Sequence, residues 1–254
     1  MIFFVFIIGL VFGSFANVLI YRMPLGKSVV LPRSFCPACA GTILWYDNIP
    51  LVSFILLKRR CRFCGAKISA QYPLVELFTG LVFACIFYFF GFTTTALILV
   101  IISFHTIAIS LIDFKHGIIP DELNLSLFVL GVIIPGPFFR GAFWKMPLYS
   151  VSAGLSAGLV LFLIAVIFSR LFKQEAMGMG DVKLIAALAA FTGFPSIFWL
   201  IFLSSVFGSI VGIVVKIIKR EKGFTKIAFG PYLCLAAIFY VLFSEHLPAL
   251  LLFG

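Results

Sequence analysis

The sequence predicts an all-α polytopic membrane protein of about eight transmembrane helices, with a small zinc-binding loop domain after the first. Three observations carry this reading. Of the 254 residues 63% are hydrophobic and only 11% charged, with a mean hydropathy of +1.22, far less polar surface than a soluble domain of this size shows. The apolar residues gather in runs near the ~20 that cross a hydrocarbon core. One long polar interval follows the first run and carries four of the six cysteines as two CxxC pairs.

The first run, 2–20, leads into Asn17, Tyr21 and Arg22 with no small-residue cleavage site, which predicts a retained span and not a signal peptide. Further spans are expected at 72–90, 96–112, 123–139 and 148–171. The run 182–218 is too long for one crossing, and Gly193-Phe194-Pro195 divides it. The last run is 229–243. This gives a first helix at 1–20, a loop domain at 21–71 and a seven-helix membrane domain at 72–254.

Orientation follows from lysine and arginine. Placing 21–71 in the cytoplasm puts every basic residue there except Arg140 and Lys145, out of nineteen, and both termini on the far side. The net charge of +10 therefore reads as topology and contact with anionic lipid headgroups, not as a nucleic-acid surface.

In the loop, Cys36-Pro-Ala-Cys39 and Cys61-Arg-Phe-Cys64 stand 21 residues apart. This spacing matches a closed four-thiolate zinc site, and the cytoplasm disfavours the disulfide alternative. Gly41 and Gly65 are expected where the backbone wraps the metal. With all four positions used, no open coordination site remains for catalysis. Cys85 and Cys234, alone in apolar runs, read as packing residues.

The stretch Met177-Gly178-Met179-Gly180-Asp181-Val182-Lys183 places an acid at the mouth of a long apolar run. Such acids are functional candidates, because a carboxylate beside hydrocarbon costs roughly 2.5–3.5 kcal/mol. The bland alternative is Asp181 as a helix cap. The third span ends at Asp113, and with the topology above Asp113 and Asp181 reach the same face at one depth. Two carboxylates sharing a proton supply a base for water and an acid for a leaving amine, as an aspartic protease requires. Two unrelated interfacial acids are the alternative from position alone. His105, within the third span, reads as a hydrogen-bonded packing residue.

Asp113 with Ile119-Pro120-Asp121, the Gly-x-Gly-Asp181-x-Lys183 stretch and the two CxxC pairs together resemble the type IV prepilin leader peptidases. The likeness continues through Gly13-Ser14-Phe15-x-Asn17-Val18, Asn48-Ile49-Pro50-Leu51-Val52-Ser53, Tyr72-Pro73-Leu74-Val75-Glu76 and Phe229-Gly230-Pro231-Tyr232. It covers nearly the whole chain. Two departures are Ala176, where glycine is expected, and Asp47, where glutamate is common.

The resemblance implies a GxGD-type aspartic endopeptidase of the inner membrane with Asp113 and Asp181 as its catalytic pair. Its substrates would be prepilins and pseudopilins of type IV pilus, type II secretion or competence systems, cut at the cytoplasmic face. It also implies N-methylation of the new amino terminus from S-adenosylmethionine. No glycine-fingerprint βαβ unit supports that second step from the residues themselves. The candidate region is 45–53 with Asn17 and Glu76, without individual roles. Asp121, Glu122 and Glu175 are candidates to attract a basic leader, or are solvated loop acids.

Two readings from other classes compete. An ion or proton transporter using the same acids predicts mid-bilayer acids and related repeat halves, and the sequence has neither. A zinc-bearing assembly scaffold leaves the Gly-x-Gly-Asp181 stretch without a purpose.

Overall fold

The computed structural model describes residues 1–134, 146–173, 177–219 and 228–243. Arg140, Lys145, Glu175, Ala176 and the basic residues of 220–226, all used in the sequence reading, lie outside them. Among the described residues the regular elements are helices, apart from two isolated β-bridges. The α-helices are α1 (Ile2–Arg22), α2 (Val52–Leu56), α3 (Gln71–Phe90), α4 (Thr94–His116), α5 (Asp121–Ile133), α6 (Met146–Phe172), α7 (Met179–Thr192), α8 (Ser196–Lys219) and α9 (Gly230–Phe243). Each of the predicted apolar runs overlaps one of them, and the divided run 182–218 overlaps two; 135–139 of the predicted fourth span lie outside the described residues. Five (α1, α3, α4, α6 and α8) are long and apolar enough to cross a membrane. The others, α5, α7 and α9, have 13, 14 and 14 residues.

The chain forms two compact units, Met1–Ala96 and Leu97–Gly254. In the first, α1 packs along α3 through small residues. A Cβ on Gly13 would lie 2.6 Å from the Glu76 Cα and 3.0 Å from the Val75 carbonyl, and one on Gly9 would lie 2.7 Å from the Gly80 Cα. Backbone on both sides leaves nothing to yield, so close approach demands glycine here. Gly13→Ala is therefore expected to push the helices apart and destabilise the unit by about 1–3 kcal/mol. A lower thermal midpoint in detergent would show this; an unchanged midpoint would contradict it.

In the second unit α7 is the central element. Ten of its residues are buried, from Asp181 to Thr192, and it packs against α5, α6, α8 and α9. Fourteen residues span about 21 Å against a hydrocarbon core of about 30 Å. A helix sheathed by protein need not match that thickness, so its first turn can be recessed. The small-residue seam of α6 permits the contact: a Cβ on Gly154 would fall 2.7 Å from the Ala186 carbonyl. The predicted break lies at Gly193, which ends α7 at φ +76° before α8 starts at Ser196.

Candidate active site and metal centre

Asp113 lies in the last turn of α4, which Gly117 closes: its amide donates to the Asp113 carbonyl (2.8 Å) at φ +66°. Only three residues then separate Gly117 from α5. Asp181 lies in the first turn of α7, after the extended Gly178 at the N-cap. It does not cap the helix, since no side-chain cap bond forms. Both acids are buried, at 7% and 8% exposure, and they lie within Coulombic range of each other.

The surrounding backbone holds this arrangement. The Gly230 amide, at the N-terminus of α9, donates to Asp113 Oδ2 (3.2 Å), bringing the positive end of a helix to a carboxylate. Ile119 fills the space between two glycines. A Cβ on Gly180 would meet it at 3.1 Å, and one on Gly230 at 2.8 Å while also lying 3.0 Å from Asp113 Oδ2. Asn124 Nδ2 reaches the Gly180 carbonyl at 3.4 Å. Asp181 Oδ1 is buried without a hydrogen-bond partner.

Asp121 is placed differently. It is exposed at the start of α5, and both its oxygens accept from Lys183 Nζ (2.8 and 2.7 Å). The ion pair straps α5 to α7 beside the buried acids. His105 is a hydrogen-bonded packing residue, joining the Ile101 carbonyl (2.8 Å) to Ser126 Oγ on α5 (3.0 Å).

In the first unit the four thiols of Cys36, Cys39, Cys61 and Cys64 lie within 4.8 Å of one another, with Cys36 Sγ and Cys64 Sγ 3.9 Å apart. Zn–S bonds of about 2.3 Å in a tetrahedron separate the sulfurs by about 3.8 Å, so the cluster fits such an ion. The two knuckles are built alike. The Cys36 amide donates to the Gly41 carbonyl (2.9 Å) and the Cys61 amide to Ala66 (2.8 Å); the Ala40 and Gly65 amides return to Cys36 and Cys61. The left-handed residues are Ala40 (φ +56°) and Gly65 (φ +70°). Gly41, expected where the backbone wraps the metal, leaves room for Cys39 Sγ, which a Cβ there would approach to 3.3 Å. Amides of Cys64 and Phe63 lower the Cys61 thiol, whereas, against the pull of the Ala66 amide, burial and the neighbouring thiols push Cys64 up to about 11. Cys234 is buried as expected, whereas Cys85 is exposed on α3 and is no core residue.

Residues 7–90 match the family described as bacterial peptidase A24 N-terminal domain, and residues 98–213 the type IV leader peptidase family. A prepilin leader peptidase/N-methyltransferase of Stutzerimonas stutzeri is 34% identical over 266 residues, covering 96% of this chain and 91% of that protein. The Pseudomonas aeruginosa protein of the same name is 34% identical over 264 residues, covering 95% and 90%. This chain belongs to the type IV leader peptidase family. Against the 35% identical Myxococcus xanthus relative it covers 87% of its own length but 64% of that protein. No solved structure matches.

The two matched segments of this leader peptidase family member fall one in each compact unit. It is a multi-pass membrane protein. Its first unit also holds a cavity of about 380 Å³, lined among others by Asn17, Tyr21, Phe35, Phe54, Tyr72 and Glu76. Arg62 forks onto Asp47 with two bonds of 2.7 Å at this cavity and holds that carboxyl below its usual range. Glu76 Oε2 accepts from the Leu51 amide at 2.8 Å, where Leu51 has the strained φ of +60°. Glu76 and Asn17 were singled out from sequence without a role. Ile119, Asn124 and the Gly230 amide had none either, and only the Phe-Gly-Pro-Tyr block hinted at the last.

Proposed function

We propose that this chain removes the leader peptide from type IV prepilins and pseudopilins at the cytoplasmic face of the inner membrane, and N-methylates the amino terminus so exposed. The observation that carries the peptidase is the pairing of two buried carboxylates, Asp113 and Asp181, while the neighbouring Asp121 is exposed and bound to Lys183. One carboxylate takes the proton of an attacking water, and the other gives a proton to the departing amine. The Gly230 amide orients Asp113. Asp181 Oδ1, buried without a partner, is free to accept from that water. The family names of the relatives support both activities.

The four thiolates would hold one structural zinc ion, which supplies folding energy to the loop and no open position for chemistry. Incubating the purified chain with a synthetic prepilin, with and without S-adenosylmethionine, tests the function. Cleavage in both arms and methylation only with the donor are expected; an intact substrate in both refutes the peptidase.

Gly230→Ala should place a methyl group against Asp113 and Ile119. Misplacing a catalytic group by a fraction of an ångström is expected to slow cleavage by about tenfold to 100-fold. A cleavage rate equal to wild type would remove the Gly230 amide from the mechanism.

The proposed topology places 21–71, 114–122, 172–181 and 219–228 in the cytoplasm, with both termini on the other side. Gly178 suits a test, being exposed, and a Cβ there meets only Asp181 Oδ2, at 3.6 Å, and the Gly180 amide. In a chain cleared of native exposed thiols, Gly178→Cys should resist an impermeant reagent applied to intact cells and react once the membrane is opened. Labelling in intact cells would invert the topology.

A further inference from the structure

The cavity of the first unit is lined by neither Asp113 nor Asp181, and two of its polar side chains, Asn17 and Glu76, are incompletely matched. Asn17 is 3% exposed. Its Nδ2 donates to the Gly13 and Tyr72 carbonyls at 3.3 and 3.0 Å, which sets the amide's orientation and leaves Oδ1 buried without a partner. Glu76 is 8% exposed; it accepts from the Leu51 amide and the Ser14 side chain but has no ion-pair partner among the described residues. The other lining charges are partly committed. Arg22 is spent on the Ser28, Pro32 and Arg33 carbonyls and Asp47 on Arg62, while Lys67, the remaining lining cation, is exposed to solvent. A buried carboxylate and an orphan acceptor lining one cavity suit a ligand that brings a positive charge and a donor. The backbone is strained to build this place, since Leu51 keeps a left-handed φ while its amide binds Glu76.

We propose that this cavity is the methyl-donor site, with the Glu76 carboxylate facing the sulfonium of S-adenosylmethionine and Asn17 Oδ1 accepting a hydrogen bond from the same molecule. The inference rests on the methyltransferase reading given above. Three features fit the donor. The cavity volume of about 380 Å³ lies within the roughly 300–1,000 Å³ of small-molecule sites. The aromatic rings of Tyr21, Phe35, Phe54 and Tyr72 line it and suit a flat purine. The amino-acid end of the donor neutralises itself, so its net charge sits on the sulfonium and matches Glu76, the lining acid without an ion pair.

Binding to the full chain in lipid nanodiscs, measured by calorimetry, tests the assignment apart from turnover. Each variant is first matched to wild type in metal content. Glu76→Gln keeps an acceptor for the Leu51 amide but removes the charge. It should weaken S-adenosylmethionine about tenfold or more, yet change the neutral thioether S-adenosylhomocysteine by no more than about twofold. Asn17→Leu should weaken both. An azidoadenosyl analogue of the donor, cross-linked to the unaltered protein, should map to peptides of α1, α3 and the loop between them, whatever the variants do. Unchanged donor affinity in Glu76→Gln, or labelling confined to the second unit, would overturn the site. If a pre-cleaved peptide is still methylated in that case, the methyltransferase reading stands and only the cavity assignment fails. A wild-type chain that neither binds the donor nor methylates the peptide refutes both.

Discussion

Asp113→Asn and Asp181→Asn should each abolish cleavage of a synthetic prepilin, by about a thousandfold or more, because members of a catalytic unit do not contribute separately. Asparagine keeps the shape of each site and the acceptor for the Gly230 amide, so the loss reports chemistry and not packing. A pair working with one shared proton fails when it holds none or two, and cleavage should be bell-shaped against pH with both limbs belonging to the pair. Methylation of a substrate supplied already cleaved should survive both changes. Asp121→Asn is the control. Asp121 is exposed and paired with Lys183, and loss of that surface pair costs about 0.2–1 kcal/mol, so cleavage should fall only in part. Near-normal cleavage by either first variant would end the dyad. Equal loss in all three would mean that the local fold around Asp113, Asp121 and Asp181 collapses when any one of them is changed.

Removing the metal should be nearly as damaging, but to a different part of the molecule. Between residues 23 and 70 only Cys36 and Ser53 are buried, so the loop has no hydrophobic core to hold it. Structural zinc contributes on the order of 10–16 kcal/mol in small zinc peptides, which is folding energy for a segment of this kind. Elemental analysis of chelator-rinsed protein should find about one zinc per chain. Cys36→Ser should lose it, leave the loop open to limited proteolysis and abolish donor binding. Cleavage should fall less, because Asp113 and Asp181 belong to the other unit. A metal-free preparation with disulfide-linked peptides would refute the zinc site. A Cys36→Ser chain with intact loop and full metal content would show that three thiolates suffice.

The helices themselves were legible from composition. Apolar runs near bilayer length became helices because each satisfies its backbone internally, and Gly193 broke the long run where the chain needed a left-handed turn. The cysteine cluster was legible too, since each CxxC closes over a few residues. Its local turn was not: in the first knuckle Ala40 holds the left-handed position, because hydrogen bonds back to the first cysteine, not residue preference, choose that position. Cys85 misled in a similar way. An apolar run does not say which face of its helix meets protein.

The two acids lie within Coulombic range in the second unit, as the proposed topology, with alternating spans, expects. Their neighbours depend on contacts between segments far apart in the chain. Gly230 reaches Asp113 across 117 residues and Lys183 reaches Asp121 across 62. Glu76 meets Leu51 across 25 residues, with a strained backbone between turn and helix. Composition, charge bias and short spacings therefore determined the helices, the thiol cluster and the family likeness, all of which depend on neighbours in the chain. Only the tertiary structure decided which acid is buried and which is strapped to a lysine, and where an unpaired carboxylate faces a cavity, because packing sets the surroundings of a charge.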